Sequence, residues 1–338
     1  MATQPSIGVA GETLLLTDKG YYSIQSLIAK VDEVLVWNGS DWSKVQIKEL
    51  SPRHLVNIIF EGGHSLSCSK DFMFLVPNGT IPSEGIELVP LYGLYPGLST
   101  YDQALPATSN SEVKADKDME VPYLHAVTAM FGILPAKIAD IPGPLSSILL
   151  NHPDLVLDSS GKHKNFPPTM SADLVVPLNS SLKIKLEWLA GLIDARCYHK
   201  KESAVLSHTQ FRFIRDIQLL LTTIGVRSSI SEKRSFFSTA VENNGEDQTS
   251  KENTVMRDVS VTNYYLDIPL AGLPDLPTKV VKLRHLESSN SRHKSLIIFD
   301  IVDVGRFDKV YSVSLTDEKQ PNDCPVCLLN GIYCPLIK

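Results

Sequence analysis

The sequence predicts an α+β protein in which an all-β domain is interrupted by a mixed α/β domain. Short strand-like segments such as TLLLT, EVLVW and HLVNIIFEGG fill residues 13–75, and turn residues separate them in the way typical of β-hairpins. Helical periodicity replaces this pattern in the middle of the chain. Strand-like segments, KSLIIFDIVDVG and KVYSVSLT, return near its end. A single β domain carrying an insertion is the simplest explanation of this order.

The composition is that of an ordinary soluble globular protein. The 338 residues, 43% of them hydrophobic and 21% charged, exceed the usual size of one hydrophobic core and favour two domains. A net charge of -6 argues against general polyanion binding, although a local basic face remains compatible with it. Five cysteines suit a reducing compartment better than a disulfide framework. Because neither a secretory signal nor a span of about 18 apolar residues occurs, we expect a soluble, intracellular protein without a membrane partner.

Local signals place the elements and the domain boundaries. Turns at residues 18–20, 38–40 and 61–63 divide the first hairpins, and the polar segment 99–122 suits a linker. Two helices are predicted from LKIKLEWLAGLIDA and from TQFRFIRDIQLLLTTIG, the second ending in Gly225, where a C-cap glycine is expected. The segment VENNGEDQTSKENT looks like a surface loop. The predicted divisions are residues 1–110 and 291–338 for the β domain and 111–290 for the insertion.

Several motifs in a fixed order carry a family resemblance. They are GVAGETLLLTDKGYYSIQSL, EVLVWNGSDWSKVQIKEL, GGHSLSCSKDFMFLV, LAGLIDARC at residues 189–197, VDVGRFDKVYSVSLT and LNGIYCPLIK. In this order the sequence resembles an intein, and the resemblance covers nearly the whole chain. It implies a horseshoe-like β domain of the Hint type, shared with Hedgehog autoprocessing domains, interrupted by a LAGLIDADG homing endonuclease domain. The hairpin motifs are similar to those of phage ribonucleotide reductase inteins, so a phage-like origin is expected by analogy.

The resemblance also implies where splicing chemistry should lie. The family needs a Cys or Ser nucleophile at its first position, a Thr and a His in the second motif, an Asp or Cys in the penultimate strand, and a closing His-Asn pair. The residues that match these positions are Gly8, Ser69, Phe72, Ser312, Pro335 and Leu336. Glycine, phenylalanine, proline and leucine side chains cannot attack, transfer a proton or cyclise. Only seven residues precede Gly8, so little flanking sequence is expected to be joined, and we expect splicing to be lost.

The endonuclease positions are altered in the same way. Ala190 and Gly191 keep the small side chains that allow two motif helices to pack closely. Asp194 occupies the acidic position that supports the helix end, whereas Arg196 stands where the metal-binding carboxylate is expected. The best upstream match to a first motif, VPYLHAVTAMFGILPAK, has no acid in its turn. Nuclease activity is therefore expected to be lost, and Mg²⁺ would be needed only if residual cleavage remained.

Two further patterns indicate binding. Residues 183–234 contain ten basic and five acidic residues, a local charge of +5. This excess makes DNA a candidate ligand. These candidate nucleic-acid-binding residues are Lys183, Lys185, Arg196, Lys200, Lys201, Arg212, Arg215, Arg227, Lys233 and Arg234. Cys324, Cys327 and Cys334 resemble an incomplete zinc site, but tetrahedral zinc needs four ligands, so free thiols are the favoured interpretation.

Three interpretations follow from the sequence. The first is an intein-derived protein without chemistry, retained as a structural or protein-interaction module with a protein partner of unknown identity. The second is a DNA-binding module that uses the altered LAGLIDADG unit. The third is a homing endonuclease, active or weakly active, with unusual metal ligands.

Overall fold

The chain is mostly β-sheet with few helices, which confirms the β-rich part of the predicted fold. The computed structural model describes residues 8–28, 34–77, 86–100, 105–106, 119, 121–131, 144–151, 156–157, 163–165, 174–199, 202–241, 255–271, 273–281, 296–316 and 326–336. The predicted domain boundaries near residues 110 and 290 lie outside these ranges, as do most of the predicted linker and nearly all of the predicted surface loop.

Both ends of the chain contribute to one large sheet, named here the β unit (the described residues of 8–100 and 296–336). Its elements are β1 (Val9–Ala10), β2 (Leu14–Thr17), β3 (Gly20–Ser23), α1 (Ile24–Ile28), β4 (Val34–Trp37), β5 (Trp42–Phe60), β6 (Ser65–Ser69), β7 (Met73–Pro77), β8 (Ile86–Pro90), β15 (Ile298–Leu315), β16 (Val326–Leu329) and β17 (Ile332–Pro335). Nine strands follow the order β15-β1-β6-β5-β4-β2-β16-β17, with β3 beside β2, and β15 also pairs with β5. Strands β7 and β8 form a separate pair.

The long antiparallel pair β5 and β15 holds the two ends of the chain together. Their register joins Ile301 to Ile58 and Val313 to Ile47, with irregularities between Asp303 and Phe307. Inward-facing apolar residues of these strands and of β6 and β17 are buried in one hydrophobic cluster. Since adjacent strands here are about 250 residues apart in sequence, the β unit closes only after the chain has passed through the middle segment.

The middle segment forms the inserted unit (the described residues from 105 to 281). Its elements are α2 (Pro122–Phe131), α3 (Pro144–Leu150), β9 (Val156–Leu157), β10 (His163–Asn165), α4 (Leu182–Arg196), β11 (Tyr198–His199), β12 (Ser203–His208), α5 (Phe211–Thr222), β13 (Ser229–Val241) and β14 (Val255–Pro269). Four strands form an antiparallel sheet in the order β11-β12-β14-β13. The two helices that the sequence predicts are present as α4 and α5.

Periodic apolar residues explain why these helices pack where they do. In α5, Phe213, Ile217 and Leu220 lie at helical spacing and are buried in the core of the inserted unit. The helix is followed by Gly225 at a φ of 84°, a left-handed conformation that favours glycine after a helix end. Helix α4 is buried along much more of its circumference, because α2 covers its second side.

Candidate functional site

The start of the β unit is closely packed around Gly8. The Gly8 carbonyl oxygen accepts hydrogen bonds from the Ser69 backbone N–H at 2.8 Å and from the Ser69 hydroxyl at 3.2 Å. A Cβ atom on Gly8 would lie 2.8 Å from Cγ2 of Val310 and 3.0 Å from the Ser69 oxygen. Two of the residues matched to splicing positions therefore lie together, but the space that a nucleophilic side chain needs is occupied by Val310.

The neighbouring positions are also built for packing. Phe72 is fully buried, and its ring lies 4.8 Å from that of Phe74, centroid to centroid. Ser312 is buried on β15 directly after Tyr311, the register partner of Val9, so it lies level with Gly8. An aromatic ring at the position of the family's histidine has no proton to exchange. Ser312 has a hydroxyl, which does not ionise in the range in which a carboxyl or thiol would.

The last two strands, β16 and β17, form a regular hairpin. Asn330 and Gly331 form the two-residue turn between β16 and β17 with φ values of 49° and 79°, as expected for Asn-Gly in a hairpin. The Asn330 side chain accepts a hydrogen bond from the Leu14 N–H at 2.8 Å and donates one to the Ser65 carbonyl at 3.0 Å. Pro335 and Leu336, at the end of β17, carry no group that could assist or undergo cyclisation, and Leu336 is buried in the core.

Helix α4 carries the LAGLIDARC residues and packs tightly against α2. A Cβ on Gly191 would come within 3.0 Å of the backbone carbon and Cα of Tyr123, so the small residue permits direct contact between the helix backbones. Tyr123, at the start of α2, contacts the end of α4, whereas His125, two residues further on, accepts a hydrogen bond from the Trp188 indole at 3.2 Å. The order of these contacts means that the two helices run in opposite directions.

Asp194, at the C-terminal end of α4, is fully engaged by the chain itself. Its carboxylate accepts hydrogen bonds from the backbone N–H groups of Lys279 at 2.6 Å, Val280 at 3.2 Å and Val281 at 2.8 Å. The Tyr123 hydroxyl donates a fourth at 2.8 Å. Burial, reinforced by the neighbouring Asp194 carboxylate, raises the pKa of Tyr123 above its usual value, so this phenol stays a donor. The sequence contains no local signal for the contact with residues 279–281.

These residues do not fit a divalent metal ion. A paired metal site requires a carboxylate from the end of each of two helices at the same place, but the antiparallel packing puts the start of α2 beside the end of α4. The oxygens of Asp194 already accept four hydrogen bonds, and Arg196 is exposed on the same helix end. Within the described part of the chain, no group of three His, Cys, Asp or Glu side chains could hold a metal. The GILP turn of the upstream match lies outside the described residues.

The basic residues do not share one face. Lys183 and Arg212 are exposed on the helices, with side-chain exposures of 83% and 88%, while Lys233 lies three positions from Ile230 along β13 and therefore on the opposite side of the sheet from the core. Arg215 is partly exposed beside Asp216. Exposed positions are also held by Arg196 and Arg234, whereas Lys200 and Lys201 lie outside the described residues.

Two of the ten predicted nucleic-acid-binding residues make hydrogen bonds within the chain: Lys185 is buried and Arg227 is half-buried. Lys185 is 1% exposed, and its amine donates a hydrogen bond to the Thr223 hydroxyl at 3.0 Å. Burial lowers the pKa of Lys185 to about 7. The Arg227 guanidinium donates to the Gly331 carbonyl at 2.6 Å. The buried Lys185 amine is therefore not presented to a phosphate in solvent.

The cysteines near the end of the chain lie in the core of the β unit. Cys327 and Cys334 are register partners across β16 and β17, and both are buried. Burial raises the pKa of the Cys327 thiol above its ordinary value, which disfavours the thiolate that zinc requires. Cys324 lies outside the described residues, so the third predicted position is not placed.

Among the helices that are described, none is long and apolar enough to span a bilayer.

This architecture defines the chain as a β-rich protein whose two ends share one sheet around an inserted α/β unit. No family model matches the chain. A similar curated protein is the ribonucleoside-diphosphate reductase large subunit of Invertebrate iridescent virus 6, which is 29% identical over 257 residues. That match covers 68% of this chain but only 26% of the viral protein, so the chain spans about a quarter of its relative.

Inteins are among the similar solved structures. The DnaB intein from Synechocystis is 17% identical, with a TM-score of 0.25, over 31% of this chain and 72% of the intein. The gp41-1 intein is 23% identical, with a TM-score of 0.23, over 28% of this chain and 67% of the intein.

Proposed function

We propose that the chain is an intein-derived protein, with a Hint-type β unit and a LAGLIDADG-derived inserted unit, that neither splices nor cleaves DNA and acts by binding a protein partner. The ordered motifs support this descent, as does a sheet assembled from both chain ends around an insertion. The partial match to a viral reductase subunit is what an element carried within a larger protein would give.

One observation carries the loss of activity: at both former reaction centres, packing or hydrogen bonds of the chain itself occupy the reactive position. Val310 fills the space beside Gly8, and residues 279–281 saturate the Asp194 carboxylate. The surface of α4 that a parallel motif helix would need is covered by α2, which runs in the opposite direction. Restoring a single reactive residue would therefore leave each centre blocked.

Exposed aromatic side chains support a role in protein binding. Phe299 and Phe307 on β15 are 64% and 61% exposed, and Tyr92 and Tyr95 are 90% and 60% exposed. Large aromatic side chains are enriched at protein interfaces, where they supply much of the binding energy. The basic residues, in contrast, are dispersed over opposite sides of the inserted unit, which disfavours the DNA-binding alternative.

Loss of chemistry is tested by placing a reporter domain at each end of the complete chain. We expect one full-length polypeptide on denaturing gels, with neither joined reporters nor released fragments. Incubation of the purified chain with a plasmid library and Mg²⁺ is expected to leave supercoiled DNA intact. Magnesium-dependent cleavage that Asp194→Asn abolishes, or joined reporters, would contradict the proposal and restore the enzyme interpretation.

The binding role is tested by co-purification of the native protein and mass spectrometry. We expect a stoichiometric protein partner that is lost in the double variant Phe299→Ser and Phe307→Ser and retained in Arg212→Ala, a matched control with an exposed side chain on the inserted unit. Retention on DNA that weakens steeply with salt and is lost in Lys233→Ala with Arg234→Ala would favour the nucleic-acid-binding alternative instead.

A further inference from the structure

The two units meet along a buried junction formed by three turns of the β unit and one side of α5. The turns contain Gly20, the pair Gly62 and Gly63, and Gly331. The inserted unit contributes α5 itself, the residues that follow it up to the start of β13, and Asn179 ahead of α4. These contacts join segments 104 to 201 positions apart in the sequence.

Hydrogen bonds across the junction are short and lie in buried or partly buried positions. Gln218 is fully buried, and its amide nitrogen donates to the Gly62 carbonyl at 2.7 Å. The same carbonyl accepts from the Ile230 N–H at 2.9 Å. The Tyr21 hydroxyl lies 2.9 Å from the hydroxyl of Thr222, both buried. Separating the units would leave these groups without partners unless water replaced them, and an unsatisfied buried polar group destabilises the protein.

Arg227 extends the junction to the hairpin that closes the chain. Its guanidinium donates to the Gly331 carbonyl at 2.6 Å and lies 5.9 Å from the centre of the Tyr333 ring. On the other side of that hairpin, the Tyr333 hydroxyl accepts a hydrogen bond from the Trp37 indole at 3.0 Å. The inserted unit thus contacts the strands β16 and β17 directly, at the turn that joins them.

The backbones approach too closely at the junction for the units to slide past each other. A Cβ on Gly63, whose φ is 87°, would lie 2.7 Å from Cβ of Ile230. A Cβ on Gly20, whose φ is 109°, would lie 2.9 Å from Cα of Asn179. Asn179 also accepts a hydrogen bond from the Tyr21 N–H at 2.8 Å. Glycine is needed at both turns for conformation, and at both turns it also admits the other unit.

A hydrophobic cluster continues through the junction. Leu219 of α5 is 2% exposed and belongs to the same buried cluster as Leu16, Tyr21, Leu328 and Tyr333 of the β unit. Interfaces between domains that fold separately are more polar than cores. This one has the burial and composition of a core, so a part of the interior of the β unit is completed by the inserted unit.

We propose that the inserted unit is a permanent structural part of the β unit, so that the two units fold and unfold as one cooperative body. Removal of the inserted unit would expose Leu16, Tyr21 and Tyr333 and leave the β16–β17 hairpin without the support of Arg227. The β unit would then not be expected to hold its closing strands, even though its nine-stranded sheet is continuous.

Urea unfolding of the complete chain, followed by hydrogen exchange and mass spectrometry of peptides, tests this coupling. We expect peptides from residues 204–221 and 326–336 to lose protection at the same urea concentration. Leu206→Ala, buried on β12 in the core of the inserted unit, is expected to shift both midpoints equally. If Leu206→Ala does not fold, Ile268→Val provides a milder change in the same core. Protection lost first from 204–221 in the unmodified chain, or a shift confined to that peptide, overturns the proposal.

Junction variants test which contacts carry the coupling. Gln218→Ala combined with Arg227→Met is expected to separate the two midpoints, with the peptide 326–336 affected most strongly. Arg212→Ala, on the same helix but exposed, is the matched control and should leave the midpoints coincident. Coincident midpoints at the unmodified urea concentration in the junction variant overturn the proposed role of these contacts. If the double variant does not fold, the core variants above decide the question.

Discussion

The surroundings of Gly8 and the end of α4 are the two places where we propose that reaction centres once lay, and they differ in how their side chains are engaged. Around Gly8, neither Gly8 nor Phe72 carries a nucleophile or a proton donor, and Val310 fills the space beside Gly8. At the end of α4 an acid is still present as Asp194, but its oxygens are bonded to the backbone of residues 279–281. One site is filled by apolar packing, whereas the other has turned a charged group into a structural anchor.

The difference shows that the presence of an acid is a poor guide to activity. A buried carboxylate needs hydrogen-bond donors or a cation to offset the loss of water. Three consecutive backbone N–H groups meet this need as well as a metal ion would. Asp194 should therefore be important for stability and unimportant for catalysis. Gly8 should be important only because no larger residue fits, which gives the two regions different responses to substitution.

The largest expected effect is that of Asp194→Asn. Both carboxylate oxygens accept from backbone N–H groups. Whichever way an asparagine amide is oriented, its NH₂ group therefore points at a backbone N–H donor. We expect the free energy of unfolding to fall by about 4 kcal/mol, measured by urea unfolding without divalent cations. Lys183→Ala, exposed on the same helix, is the control and should change stability by less than about 0.5 kcal/mol.

Magnesium distinguishes an anchor from a metal ligand. The melting temperature of the unmodified chain should not change with millimolar Mg²⁺, because ligand binding to the native state would raise it. A rise that Asp194→Asn removes would show that the carboxylate still binds metal and that the two regions do not differ as described.

Local patterns in the sequence predict much of the inserted unit. Helices α4 and α5 follow from residues three and four positions apart, and these contacts form within one element. The sequence also indicates that Lys185 is buried. Trp188, Leu189 and Leu192, all buried in α4, follow Lys185 by three, four and seven positions. Helical spacing thus placed its side chain toward the core, although a count of charges treats it as a surface cation.

Other features depend on contacts that no local pattern encodes. The N–H groups that hold Asp194 come from residues 85 to 87 positions later in the chain. Val310 reaches Gly8 only because β15 pairs with β1 across some 300 positions. The direction of α2 relative to α4 likewise depends on the connection between them. Element types could therefore be predicted, whereas the packing around Gly8 and the hydrogen bonds of Asp194 required the tertiary structure.

Replacing Lys185 is expected to change the free energy of unfolding by an intermediate amount, because this lysine on α4 is buried. Its amine has a pKa of about 7 in the folded chain, against an ordinary value of 10.5, because burial disfavours the charged form. Between these values the unfolded chain binds more protons, so the unfolding free energy of the native chain rises with pH in this window. Lys185→Met fits the same volume without a charge and is expected to be more stable by about 2 kcal/mol at pH 7.

The advantage of Lys185→Met should shrink as pH rises from 7 toward 10.5. Comparing the variant with the unmodified chain at each pH cancels the titration of buried tyrosines and cysteines, which weakens both proteins at high pH. An advantage that stays constant with pH would mean that the amine is not desolvated in the folded chain. Arg212→Ala, which changes an exposed cation, should show no such trend.

The smallest effect tests the filled site. Gly8→Cys introduces a thiol nucleophile but places its Cβ against Val310, and overpacking of this kind costs about 1–3 kcal/mol. Val310→Ala removes Cγ2, the atom 2.8 Å from that Cβ, so the double variant should recover most of the loss. A double-mutant cycle is expected to give a favourable coupling of about 1 kcal/mol between the two substitutions.

Even with space and nucleophile restored, the reporter fusion of this double variant should remain intact. Phe72 cannot protonate a leaving amide nitrogen, and Pro335 and Leu336 cannot release the other end. Release of the N-terminal reporter on adding a thiol would show that Ser69 and the backbone around Gly8 still activate the peptide bond. The Gly8 region would then be a centre that lacks one residue, and the contrast with Asp194 would be between a dormant site and a lost one.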